Sequence, residues 1–215
     1  MIMSKIKKTI KKFSKTEGFK KFSVEQVEEK LNNFNWSQLN KPGINKGDRG
    51  QDFERALDIP NGSDLLDLID GELKSFTKGE TIAVTSLHHC LSEIIDESFE
   101  FEESKVFAKL KQTIYVGFDR DGKFLKSKTI NEQNSPEHYL ELAEDYGYIA
   151  AHIKVAYENG ATLHTITGPN NLLQIRTKAS KYKGKYPPLC YNGVELKDKY
   201  MAFYLLADFG KKIVI

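Results

Sequence analysis

The stretch Asp67-Leu68-Ile69-Asp70-Gly71-Glu72-Leu73-Lys74 places carboxylates and a lysine around a turn signal. An Asp-Gly pair between apolar residues favours a tight β-hairpin, which puts Asp67 opposite Lys74. Residues that face each other across a hairpin, or lie two apart on one strand, share a face. Asp67, Glu72 and Lys74 are therefore predicted on one side, and the two leucines of the stretch face the core.

Carboxylates and a lysine in this arrangement indicate a Mg²⁺-dependent site for phosphodiester hydrolysis. Carboxylate oxygens hold Mg²⁺, which polarises a phosphate and lowers the pKa of an attacking water. The lysine adds positive charge where the transition state is negative. Upstream, residues 50–54 supply Glu54 as a further acid. Strand parity points Asp64 to the opposite face, so Asp67 is the preferred partner of Glu72 and Asp64 is the alternative.

A solvated hairpin is the other interpretation of this stretch, because Glu-x-Lys by itself is a weak signal. The pattern also begins at Glu28, Glu103 and Glu195. The last copy follows an Asn-Gly turn, and between Asp145 and Glu195 the only acidic residue is Glu158. It lacks the acidic companions that a metal ion needs, so only the first copy is predicted to be a site.

Four segments, in order along the chain, resemble the catalytic core of the MutH family of DNA endonucleases. This family contains a mismatch-repair nicking enzyme and restriction enzymes that cut at GATC, within the PD-(D/E)xK superfamily. The segments are residues 45–57 (NKGDRGQDFERAL), 71–74 (GELK), 104–116 with KLK at 109–111, and 173–179 (LQIRTKA) followed by 203–205 (FYL). The resemblance implies an α/β, restriction-endonuclease-like PD-(D/E)xK fold with a central mixed β-sheet flanked by helices.

The resemblance also implies roles for the residues of a catalytic site. Glu54 resembles the helix-borne acid of the family. Asp67, Glu72 and Lys74 resemble its D…ExK core, and Lys109 resembles an additional active-site lysine. The ligands of the Mg²⁺ cofactor are then Asp67, Glu72 and Glu54. The interval between Asp67 and Glu72 is shorter than the family usually shows, so Asp64 remains the alternative metal ligand.

Further residues match family positions that contact DNA. Lys46 resembles a phosphate contact ahead of the first catalytic helix. Arg176 and Lys178 resemble loop residues that reach base edges in the major groove. Thr177 lies between them, where the mismatch-repair enzyme has proline.

Ser86 and Tyr204 match residues near the target adenine that sense its methylation, and Ser86 stands where the repair enzyme has an aromatic residue. These departures favour a type II restriction endonuclease, which cuts both strands of a short palindrome such as GATC. A mismatch-repair nicking endonuclease is the alternative, and a non-cleaving DNA-binding protein with the same fold is the second. Cutting both strands needs two active sites, so a second copy in a homodimer is an expected partner. The other expected partners of a restriction enzyme are double-stranded DNA and a cognate DNA methyltransferase.

Length and composition favour one domain over residues 1–215, with a helical, lysine-rich segment at 1–44 and a catalytic and DNA-reading core at 45–215. The net charge is only +2, so overall charge does not indicate nucleic-acid binding. Two cysteines are too few for a disulfide framework. No apolar run approaches a membrane span, and no secretory leader is recognisable, which predicts a cytoplasmic protein without a membrane partner.

Periodicity predicts further elements. Apolar residues at helical spacing indicate an amphipathic helix at 3–13, and Ser23 with the glutamine three residues later forms a capping box for a second helix. Ser135-Pro136 opens a helix that runs to about residue 159. Strands are predicted at 81–87, 109–118 and 123–130. The adjacent His88 and His89, on an extended chain, point to opposite faces and cannot easily share a metal ion.

Overall fold

The structure, a computed structural model, describes residues 21–39, 46–60, 65–97, 100–178 and 187–214. The helices are α1 (Val24–Asn32), α2 (Lys46–Ala56), α3 (Lys105–Leu110), α4 (Pro136–Glu158) and α5 (Ala207–Phe209). The strands are β1 (Glu72–Thr77), β2 (Ile82–Ser86), β3 (Gln112–Phe118), β4 (Phe124–Asn131), β5 (Ile166–Thr167), β6 (Leu173–Thr177), β7 (Leu189–Tyr191), β8 (Val194–Lys197) and β9 (Met201–Leu205). Short 3₁₀ turns lie at Trp36–Gln38, Leu87–His89 and Phe101–Glu103, and π-helical turns at Glu93–Glu97 and Gly210–Val214. The helix predicted at 3–13 lies outside the described residues.

The strands of the described segments form three sheets, with the orders β1-β3-β4, β2-β9-β6-β5 and β7-β8. In the first sheet β1 runs parallel to β3, and β3 runs antiparallel to β4. The second sheet is antiparallel throughout. The α/β class is therefore confirmed. The β1-β3-β4 sheet is mixed, and a second, antiparallel sheet accompanies it, because β2 pairs with the C-terminal β9 instead of extending the mixed sheet.

Strand β3 lies between two hydrophobic cores and is buried along nearly its whole length. Ile114 and Val116 face a smaller core that also contains side chains of α1, α2 and β1. Tyr115 faces the larger core, which contains α3, α4 and the second sheet. This alternation follows from the two-residue period of a strand. β1 pairs with β3 from Glu72 onward, and Glu72 lies opposite Thr113. Both faces of this strand pair are therefore covered at its first residues.

The predicted hairpin at Asp70-Gly71 is wrong. Residues 67–70 form a bend, and the strand that pairs with β1 is β3. The Asp70 carboxylate instead accepts a hydrogen bond from the Val24 N–H at the start of α1 (2.8 Å). A Cβ at Gly71 would lie 2.5 Å from the Gln112 carbonyl oxygen and 2.6 Å from Val24 Cγ2. The glycine therefore serves the close approach of neighbouring segments rather than a hairpin turn.

Other local predictions agree with the structure except in one place. Helix α4 begins at Pro136 as predicted, and the capping box at the start of α1 is present. Strands β2 and β4 match two of the three predicted strands. The third, predicted from Lys109, is wrong in its first residues, because Ser104 caps α3 and this helix continues to Leu110. Lys109 therefore projects from a helix.

Candidate active site

Glu72, the first residue of β1, lies at the centre of a cluster of charged side chains. Its side chain is fully buried. Glu72 Oε1 accepts a hydrogen bond from Lys109 Nζ (2.6 Å), and Oε2 accepts one from Lys74 Nζ. Lys74 follows two residues later on the same strand, and Lys109 lies near the end of α3. A strand and a helix thus direct two ammonium groups at one carboxylate.

Asp67 joins the cluster through Lys74, whose Nζ donates to Asp67 Oδ2 at 3.1 Å. Asp67 belongs to the bend before β1, and Lys109 Nζ also donates to the Leu65 carbonyl oxygen at the start of that segment. The structure therefore brings Asp67, Glu72 and Lys74 together on one side. Lys109 and the contact with α1, not a hairpin, hold Asp67 in place.

Glu54 approaches the same cluster from α2. This helix packs closely on β1, since a Cβ at Gly50, one turn before Glu54, would lie 3.6 Å from Ser75 Oγ. Partial burial and then the charge of Asp67 raise the pKa of Glu54, while Lys74 lowers it. Glu54 is therefore within electrostatic range of both Asp67 and Lys74.

Burial and charge act in opposite directions inside the cluster. Burial raises the pKa of Glu72 to about 7, against the opposing effect of Lys74. Burial also raises the pKa of Asp67, but Lys74 and a hydrogen bond with Glu72 outweigh it, so the pKa of Asp67 is lowered. The pKa of Lys74 is raised, because Glu72 and Asp67 stabilise its ammonium group more than burial disfavours it. Lys74 is thus a firmly charged cation between two carboxylates.

The donor set fits a Mg²⁺ ion. Mg²⁺ prefers oxygen ligands, keeps several waters and is held by one or two carboxylates together with substrate phosphates. Asp67 and Glu72 supply two such carboxylates, and Lys74 Nζ lies between them, so this ammonium has to move to admit a cation. Within the described residues, no three His, Cys, Asp or Glu side chains gather closely enough to hold a metal by themselves. Water and phosphate oxygens would complete the ligand shell.

Four of the predicted DNA-contacting residues lie on the second sheet. The guanidinium of Arg176 on β6 lies 4.5 Å from the ring centroid of Tyr204 on β9 and donates to Thr81 Oγ1 at 2.6 Å. Lys178 Nζ, just beyond β6, donates to Ser86 Oγ at the end of β2 (3.1 Å). Three neighbouring strands therefore bring these four residues to one face of the sheet.

The remaining predicted contacts are placed differently. Thr177 is half-buried and points to the other face of the sheet, because neighbouring residues of a strand alternate. The structure thus separates it from Arg176 and Lys178. The side chain of Lys46, on α2, and the whole of Asp64 lie outside what the structure describes.

Sequence reasoning missed a turn that contacts both α3 and the face of the second sheet that carries Arg176. The ring centroids of His88 and His89 lie 3.7 Å apart, so the prediction that these rings point to opposite faces is wrong. The chain forms a 3₁₀ turn there instead of an extended strand. Lys105 Nζ donates to the His89 carbonyl oxygen at 2.8 Å. The four-residue spacing of Lys105 and Lys109 is the sequence signal for the helix that makes this contact, since such residues share a helix face.

Comparison with known proteins gives no family assignment. No protein-family model matches the chain, and no curated protein matches it. None of the helices in the described segments is long and apolar enough to cross a membrane.

Proposed function

We propose that this chain is a Mg²⁺-dependent, sequence-specific DNA endonuclease of the type II restriction class, which cuts a short palindrome such as GATC. The observation that carries the proposal is the fully buried Glu72 carboxylate, held by Lys74 and Lys109 with Asp67 beside them. Burying a carboxylate is unfavourable unless it is paired, and strongly perturbed acids cluster at functional sites. The resemblance to the MutH family supports the same reading of these four residues.

The cluster suggests how the work of hydrolysis is divided. Bound Mg²⁺ supplies a Lewis acid that polarises the phosphate and makes water a better nucleophile. Asp67 and Glu72 would hold the ion, and Glu54 would add a third carboxylate beside it. Lys74, once displaced from between the carboxylates, hydrogen-bonds the attacking water or a phosphate oxygen. Lys109 stays against Glu72, keeps the bend of Asp67 in place and adds positive charge to the transition state.

The face of the second sheet suits base recognition. Tyr204 and Thr81 hold the Arg176 guanidinium in one orientation, and a preorganised guanidinium can donate two hydrogen bonds to guanine O6 and N7. Lys178 supplies a second donor at the same end of the sheet. A palindrome read in this way needs two copies of the site, so the proposal includes a homodimer on DNA and a methyltransferase that protects the host sequence.

The proposal is tested with unmethylated and adenine-methylated plasmid, incubated with the protein and Mg²⁺ and followed by mapping of the ends. Double-strand breaks at one short palindrome, absent in EDTA, are expected. Nicks alone would favour the mismatch-repair type of enzyme. DNA that stays intact under all conditions would leave only a non-cleaving DNA-binding protein.

Arg176→Ala tests the recognition part of the proposal. Loss of a bidentate contact to guanine is expected to remove about 1 to 3 kcal/mol of discrimination against a wrong base. Binding to the cut sequence and to a single-base variant of it is compared by fluorescence anisotropy. Arg120→Ala, in the exposed turn after β3, is the matched control and should keep the wild-type preference. Unchanged discrimination between the two sequences by Arg176→Ala would show that Arg176 does not read bases.

A further inference from the structure

The turn Leu87–His89 is fixed to the DNA-reading sheet by a closed set of contacts. Lys178, which donates to Ser86, also donates its backbone N–H to the Tyr200 carbonyl oxygen (2.7 Å). The Tyr200 ring stacks on His88, with ring centroids 5.2 Å apart and planes 18° apart. These contacts lie where β2 and β6 end and β9 begins. The histidine turn is therefore held in a defined position beside the reading face.

The same turn is tied to the charged cluster by α3. Lys105 donates to the His89 carbonyl oxygen (2.8 Å), and Lys109, one helical turn later, donates to Glu72 (2.6 Å). Four residues of α-helix rise about 6 Å. One turn of α3 therefore links the histidine turn to the carboxylate of the proposed cutting site.

The two imidazoles are both exposed, and lysines lie near them, of which Lys105 is also paired with Glu93 (2.9 Å). Burial and then the charges of Lys105, Lys178 and Lys109 lower the pKa of His89. Burial, His89 and Lys178 lower the pKa of His88. A neutral imidazole offers an N–H donor, and a positive potential attracts an anion to it. In the described part of the chain, no third metal-ligating side chain joins the pair to form a metal site.

We propose that His88 and His89 form a phosphate clamp, which holds the DNA backbone between the bases read by Arg176 and Lys178 and the phosphodiester cut at Glu72. The clamp rests on the proposed endonuclease function and adds to it a contact that sets the distance from recognition sequence to cut. Phosphate contacts position a protein on DNA without reading sequence. The clamp therefore strengthens binding to every duplex.

The test compares wild-type protein with the double variant His88→Ala/His89→Ala, both as the full chain. Binding to a fluorescent mixed-sequence duplex is measured in EDTA, so that no cleavage occurs. Loss of the phosphate donors is expected to weaken binding about tenfold. His164→Ala removes an exposed histidine outside the turn and should bind like the wild type. The melting temperature of each protein is recorded beside its affinity.

The outcomes separate the clamp from the function on which it rests. A folded double variant that binds as tightly as the wild type overturns the clamp and leaves the endonuclease proposal standing. A wild-type protein that binds no duplex DNA overturns both. If the double variant unfolds, wild-type protein is tested on duplexes that carry one methylphosphonate at each position around the mapped cut. The clamp predicts a loss of affinity at a phosphate beside the cut, and equal affinity at all positions overturns it.

Discussion

Two strands of this protein carry the sequence Glu-Leu-Lys, yet the structure builds a cluster of buried charge on only one of them. Glu72 begins β1, and Glu195 lies on β8. In both strands the leucine is buried, and the lysines are almost equally exposed, with 21% of the Lys74 side chain and 22% of the Lys197 side chain accessible. The glutamates differ, because Glu72 is fully buried and Glu195 is exposed.

The difference lies in what covers each strand. β8 belongs to a two-stranded hairpin, where Glu195 lies opposite the exposed Cys190. β1 pairs with the buried β3, and α3 together with the bend of Asp67 covers its first residue. A two-stranded hairpin leaves one face to solvent, whereas a parallel pair inside an α/β fold is covered on both. The same three residues thus form a charged site only where other elements bury the glutamate and add a second acid and a second cation.

Replacing the two glutamates is expected to give the largest difference in cleavage between the two strands. Glu72→Gln removes the charge of the proposed metal-binding carboxylate, and we expect DNA cleavage to slow by about 100-fold or more. Glu195→Gln is the matched change on the exposed strand and should leave the rate unchanged. Initial rates of plasmid cleavage in Mg²⁺ give the comparison. Equal rates for the two variants would show that Glu72 takes no part in cleavage.

Each lysine also has an aspartate partner, and these partners sharpen the comparison. Asp67 lies 3.1 Å from Lys74, and Asp198 lies 3.7 Å from Lys197. A ligand that binds only the folded state stabilises it by about 2.7 kcal/mol at a hundred times its dissociation constant. Mg²⁺ should therefore raise the melting temperature of Asp198→Asn as it does that of the wild type, and should raise that of Asp67→Asn far less. Identical shifts in both variants would place the Mg²⁺ site elsewhere.

The glycines before the two strands give the smallest effect. Gly71→Ala introduces a Cβ against the Gln112 carbonyl and Val24, and we expect a loss of about 1 to 3 kcal/mol in the free energy of unfolding, together with weaker cleavage. Gly193 has a φ of +79°, so Gly193→Ala costs about 1 to 2 kcal/mol and leaves cleavage intact. Urea unfolding and plasmid assays measure both. A Gly71→Ala protein as stable and active as the wild type would contradict the packing at this position.

These two glycines also show what the sequence could predict. The Asn192-Gly193 turn is read correctly from local chemistry, because both residues have positive φ in a two-residue loop. Asp70-Gly71 carries a similar signal and forms no hairpin, because the Asp70 carboxylate binds the start of α1 and Gly71 is required by distant neighbours. Contacts between segments far apart in the chain override a local turn preference. The predicted proximity of Asp67 and Lys74 is nevertheless observed, but a bend brings it about and not a hairpin.

The second lysine of the site marks the limit of local reasoning. The resemblance assigns Lys109 to the site and periodicity predicts a strand there, whereas the residue lies on α3 and reaches Glu72 across 37 residues of sequence. The burial of Glu72 likewise depends on packing that no window around residue 72 reveals. The positions of charged residues can be read locally, but which acid is buried is decided by tertiary contacts.

The central claim is that the charged cluster on β1, and not the equivalent residues of β8, cuts DNA. The most direct test is the rate of Mg²⁺-dependent plasmid cleavage by Lys74→Ala and Lys197→Ala, with unmethylated plasmid and equal protein concentrations. The account predicts that Lys74→Ala leaves the plasmid intact while Lys197→Ala cuts it at the wild-type rate. Cleavage by Lys74→Ala at the wild-type rate would contradict it.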